Sequence, residues 1–131
     1  MRVFETKAFA RFARKADLGE AALCKAIADA ERGLIDADFG GGVIKQRIAR
    51  RGQGKSGGFR TVILYQRGSK AFFVYGFAKS DRANVAQDEL AALRELAAEM
   101  LSYGDKEIGK AVAYGALIEV TCDENSQDRQ L

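Results

Sequence analysis

The sequence predicts an α+β fold: an N-terminal strand and helical hairpin, then a three-stranded antiparallel meander covered on one face by helices. Three observations carry this. Apolar residues recur at helical spacing over 8–32 and again over 85–102. Between those stretches, over 43–78, they alternate or run continuously in short segments, and glycines mark where one period gives way to the other.

Arg2 to Thr6 reads as a short strand, and Ala8 to Ala16 sets Phe9, Phe12, Ala13 and Ala16 on one helical stripe. Asp17 with Glu20 three residues later has the pattern of a capping box. The helix it would open, Glu20 to Arg32, aligns Leu23, Ala26, Ile27 and Ala30 before Gly33 ends it. Gly40, Gly41 and Gly42 then switch the period. From Val43 to Arg50, Ile44 and Ile48 point one way while Lys45 and Arg47 point the other. A glycine-rich loop, 52–58, leads to the apolar strand Phe59 to Gln66, a turn at Gly68 and Ser69, and the aromatic strand Ala71 to Ala78. Leu90, Leu93, Leu96, Ala97, Met100 and Leu101 define a helix expected to cover the apolar sheet face that holds Ile44 and Ile48, leaving the other face open. A short helix (Glu107 to Tyr114) and a strand (Leu117 to Thr121) complete a domain over 1–121, and 122–131 reads as a polar tail.

The chain has 131 residues, of which 47% are apolar, enough for one core. Cys24 and Cys122 are far apart and lack CxxC spacing, so neither a disulfide framework nor a zinc site is indicated. No apolar run approaches the roughly 18 residues of a membrane span, and the first residues lack the apolar core of an export signal, which together predict a cytoplasmic protein. Histidine is absent, which removes the usual general base near neutral pH and the commonest metal ligand. No metal or cofactor is expected.

Charge is the informative property. The net charge is only +3, yet between Phe39 and Ser80 nine basic residues occur without a single Asp or Glu. A field of one sign on part of a small domain attracts a polyanion. A solvated sheet face is the ordinary setting for strand lysines and arginines, but such faces mix signs, and like charges opposite one another across strands destabilise a sheet. Tyr65, Phe73, Tyr75 and Phe77 read as core aromatics rather than base-stacking platforms, because their strands are apolar on both faces. The carboxylates Asp88, Glu89, Glu95 and Glu99 read as the outer surface of a helix. Gly54-Lys55-Ser56 is not a phosphate loop: the position that needs the first glycine is Ala49, and a strand, not a helix, follows.

The basic strand at 42–50, the Gly-Lys-Ser-Gly-Gly-Phe-Arg run at 54–60, the Phe-Ala-Lys-Ser strand end at 77–80, Asn84 and the Asp88-Glu89-Leu90 helix start occur in an order and spacing that resembles HigB-like members of the RelE/ParE toxin superfamily. The resemblance runs from about Phe4 to Val120. It implies the toxin of a type II toxin–antitoxin system, a ribosome-dependent, metal-independent mRNA endoribonuclease that inhibits translation. The ribosome, mRNA and a cognate helix-turn-helix antitoxin are the implied partners, with operator DNA reached only through the antitoxin and no membrane involved. It places Lys45, Arg47, Arg60 and Lys79 at the catalytic site, and Arg50, Arg51, Lys55 and Arg82 in contact with RNA. Relatives that use a His or Glu base are not matched. A guanidinium suits the charge that builds on phosphoryl oxygens, making Arg60 the first choice and Arg47 the second, while a lysine crowded by cations, Lys45 or Lys79, could move the protons. A ParE-like DNA gyrase poison and a non-catalytic RNA-binding or regulatory module are the alternatives.

Overall fold

The computed structural model describes residues 1–49, 58–78 and 85–122. They form one six-stranded sheet with helices on both faces. The strands are β1 (Arg2–Thr6), β2 (Ala37–Gly40), β3 (Val43–Ile48), β4 (Phe59–Gln66), β5 (Lys70–Ala78) and β6 (Leu117–Val120), and the helices are α1 (Lys7–Lys15), α2 (Glu20–Glu31), α3 (Gln87–Met100) and α4 (Asp105–Ala113). Strand order is β2-β3-β4-β5-β1-β6. The meander β3-β4-β5 is there, and β1 adds to β5 in parallel while every other pair is antiparallel.

Local chemistry explains the element ends. Thr6 caps α1, its Oγ1 accepting from the Phe9 amide at 3.2 Å, and Arg14 and Lys15 lie in the last turn, where the helix dipole favours cations. The capping box at Asp17 does not form. Asp17 turns at φ +58°, and α2 is capped by Gly19 without a side-chain bond. Gly40, Gly41 and Gly42 all have positive φ, which suits glycine, and they close the β2–β3 hairpin rather than a helix-to-strand switch.

The helices correct the expected layering. The stripes on α1 and α2 pack with Ile44, Ile48, Ile63 and Phe73 on one sheet face. Leu90, Ala97 and Met100 of α3 pack with Val43, Val62, Leu64 and Phe72 on the other. Strand alternation therefore puts α3 on the face of Lys45 and Arg47, not on that of Ile44, and neither face is left open. The central strand β4 is consequently buried along seven of its eight residues.

Cys24 and Cys122 are joined by a disulfide, contrary to the reading of their spacing. Val120 of β6 faces the layer that contains Leu23 and Ile27, and this brings Cys122 against Cys24 of α2. A second tie holds the C-terminus of α2 to the β4–β5 turn. The Glu31 carboxylate accepts from the Tyr65 hydroxyl and from the Gly68 amide at 3.0 Å, and Arg67 Nη2 donates to the Glu31 carbonyl at 2.9 Å. Partial burial alone would push the Glu31 carboxyl up, but these hydrogen bonds and the Arg67 charge hold it below the usual carboxylate range.

Closing a loop across 98 residues removes unfolded-chain entropy worth up to about 5 kcal/mol. Cys122→Ser should therefore lower the melting temperature measured without reductant to that of the wild type in dithiothreitol, and should leave the reduced value unchanged. Because the folded Glu31 carboxyl titrates lower than in the unfolded chain, its contribution is complete above the ordinary value of 4.5 and lost as pH falls through the folded value. Tyr65→Phe should cost about 1 kcal/mol at pH 7, and the difference from wild type in urea unfolding should shrink at pH 3.

Candidate functional site

The register of β3, β4 and β5 brings the described cations together. Arg47 pairs directly with Arg60, and Arg60 with Phe77; one step along, Lys45 pairs with Val62, and Val62 with Tyr75. Residues paired across strands share a face, so Lys45, Arg47, Arg60, Tyr75 and Phe77 lie together on the side covered by α3. A bulge makes this possible. Between Val62 and Ile63 the pairing skips Val74, which reverses the alternation of β5 and turns Tyr75 and Phe77 to the face opposite Phe73.

The three cations differ in environment. Arg60 is buried, with 4% of its surface exposed, and its Nη1 has no hydrogen-bond partner among the described residues. No ion pair to it forms among the described residues. Lys45 and Arg47 are compensated by Asp36: Oδ2 lies 3.6 Å from Lys45 Nζ, and Oδ1 lies 3.0 Å from Arg47 Nε. The face is thus not of one sign, and Lys45 is not a lysine crowded only by cations. Sequence reasoning missed Asp36 because it stands three residues before the acid-free stretch, and the short strand β2 that folds it back beside β3 was not recognised. The signal was the hairpin itself, with three glycines between Asp38-Phe39 and Val43-Ile44.

Arg67 and Lys70, also in the basic stretch, are at the far end of β4 and β5, where Arg67 binds the Glu31 carbonyl and Lys70 Nζ donates to the Tyr103 carbonyl at 2.6 Å. Lys79, Arg50, Arg51, Lys55 and Arg82 lie outside the described residues. The aromatic side chains are in the core as expected for Tyr65, Phe73 and Phe77, whereas Tyr75 is half-buried, its ring 5.7 Å from that of Phe77. Asp88, Glu95 and Glu99 are exposed, and Glu89 is partly buried and caps α3, its Oε1 accepting from the Ala86 amide. A hollow between the α1–α2 turn and Ala49 and Phe59 lies on the other side of the sheet and does not serve Arg60.

Among the described residues no group of three His, Cys, Asp or Glu side chains stands close enough to hold a metal ion, and no helix is long and apolar enough to cross a membrane. What the face can do chemically is hold an anion. A buried guanidinium that no described carboxylate reaches has given up hydration, so an oxyanion that reaches it forms a charge-assisted bond in a poorly screened place. Arg60→Met tests the cost. Removing the buried charge while keeping most of the volume should stabilise the protein by about 1 kcal/mol in denaturant unfolding.

Comparison with known families matches residues 1–120 to a family model described as the RelE toxin of the RelE / RelB toxin-antitoxin system. No curated protein matches the chain.

Proposed function

The chain belongs to the RelE toxin family of toxin–antitoxin systems, and from that premise we propose that it is an endoribonuclease that cuts mRNA on the ribosome and so stops translation. The observation that carries the reading is the buried Arg60, whose Nη1 meets no hydrogen-bond partner among the described residues, beside Arg47 and Lys45. Membership implies an antitoxin partner. The HigB-like pattern over 42–60 and 77–90 supports one with a helix-turn-helix domain, which would reach operator DNA in place of the toxin. A cytoplasmic site of action goes with a ribosomal target.

The substrate's own 2′-oxygen attacks the adjacent phosphorus as its proton leaves to a base. The bond to the 5′-oxygen breaks, that oxygen takes up a proton, and the products are a 2′,3′-cyclic phosphate and a free 5′-hydroxyl. Negative charge grows on the non-bridging oxygens during the step. Arg60 is placed in the role of stabilising it, because a guanidinium already fixed and desolvated needs no reorganisation when the charge appears. Arg47 is second in that role. Lys45 and Lys79 are assigned to the two proton transfers, one as base and the other as acid. Arg50, Arg51, Lys55 and Arg82 are assigned to the RNA backbone. Orientation of mRNA by the ribosome supplies the rest, since positioning alone can lower a barrier by several kcal/mol.

Translating ribosomes incubated with the protein should yield mRNA cut within the A-site codon, with a cyclic phosphate on the upstream fragment. Arg60→Ala should slow cleavage by about 10²-fold or more without loss of folding. Intact mRNA together with trapped gyrase–DNA complexes would replace this reading with that of a gyrase poison.

A further inference from the structure

We infer that Asp36 is an internal anion that occupies the phosphate-binding cations Lys45 and Arg47 in the free protein, and that RNA enters this face by displacing it. The inference rests on the reading of the face as an RNA site and adds to it a residue that sets its affinity. Asp36 makes two ion pairs, and that with Lys45 is the more buried, the Arg47 side chain being 43% exposed. The Lys45 side chain is 12% exposed and that of Asp36 20%, so both groups have given up much of their water. Exposed pairs contribute little, whereas partly buried ones are held.

The carboxylate is also anchored. The Asp36 amide donates to Gln46 Oε1 at 2.9 Å, and Gln46 Nε2 donates to the carbonyls of Ala26 and Leu34 at 2.9 and 3.0 Å. Gln46 is 4% exposed. A buried amide thus fixes the 34–36 segment to α2 on one side and to β3 on the other, and delivers the carboxylate to the two strand cations next along the chain from Gln46. Carboxylate and phosphate oxygens bind ammonium and guanidinium groups in the same way, so Asp36 and an RNA phosphate compete for the same partners. Arg60 is the third described cation of this face, and no described carboxylate reaches it. The consequence is a toxin with a restrained hold on free RNA, one that engages where another body holds the strand in place.

The test is equilibrium binding of a non-cleavable 2′-O-methyl oligonucleotide across a salt series, using the full chain with no ribosome. Asp36→Asn removes one charge at the cations; Asp38→Asn removes the same charge two residues away, at an exposed carboxylate whose bond from the Gly40 amide an Asn oxygen can keep. Asp36→Asn should bind about fivefold more tightly at 0.1 M salt, with a salt slope steeper by about 0.7, the value for one more neutralised phosphate. Asp38→Asn should match wild type, and Asp36→Glu should restore the wild-type slope. Weaker binding by folded Asp36→Asn, or an equal gain from Asp38→Asn, would overturn the inference. Asp36→Ser gives the same comparison if the Asn variant folds poorly. If Arg60→Ala loses no affinity while Asp36→Asn gains it, the role of Asp36 stands and the Arg60 reading fails; no binding by any of the proteins would overturn both.

Discussion

Burial of the central sheet on both faces is the constraint from which the other features follow. A strand covered on one side alternates apolar and polar residues and can keep its charges in water. Strand β4 has no such side, because α1 and α2 close over Ile63 and Tyr65 while α3 closes over Val62 and Leu64. Any charged residue early in β4 must be taken inside. Arg60 is such a residue, and the residue directly across from it is another arginine. Both local choices oppose stability, the first through lost hydration and the second through repulsion. Sequences keep conflicts of this kind where a partner resolves them, and the large aromatic core on the same strands supplies the surplus that tolerates it.

Much of the architecture was legible because it depends on period alone. The stripes of α1, α2 and α3, the β3-β4-β5 meander and the terminal strand all follow from the spacing of apolar residues, with element ends within a few residues. What escaped has specific physical reasons. Strand β2 has four residues with polar and glycine positions, too short for its alternation to register. The parallel addition of β1 is a long-range pairing with no local signature. The side on which α3 packs was inverted, since an apolar helix fits either face of a sheet that is apolar on both. The bulge at Val74 then reversed the strand parity that places Tyr75 and Phe77, and no residue type announces it.

The candidate site was legible to the same extent. Charge along the chain groups Lys45, Arg47 and Arg60 with six other cations, and the register places these three side by side. It could not separate them from Arg67 and Lys70, which belong to turn and helix contacts at the other end of the strands. Nor could it see Asp36, because an acid-free stretch of sequence is not an acid-free region of space. One hairpin suffices to carry a carboxylate back over the stretch that excludes it. The cysteine pair makes the same point: separation by 98 residues says nothing about neighbours once β6 lies beside β1.

That disulfide has a mechanical consequence. It turns the chain between Cys24 and Cys122 into a covalent ring, and strands β2 to β6 all lie within it. Tension applied to the chain outside the ring would pass from one sulfur to the other through α2 and the end of β6, so the enclosed strands could neither be paid out nor lengthen the molecule. Among the described elements, only β1, α1 and the first turn of α2 stand in series with the load. An enzyme that unfolds proteins by pulling on one end would meet a loop to be threaded whole rather than a strand to be unzipped, and reduction of one bond would convert the first task into the second.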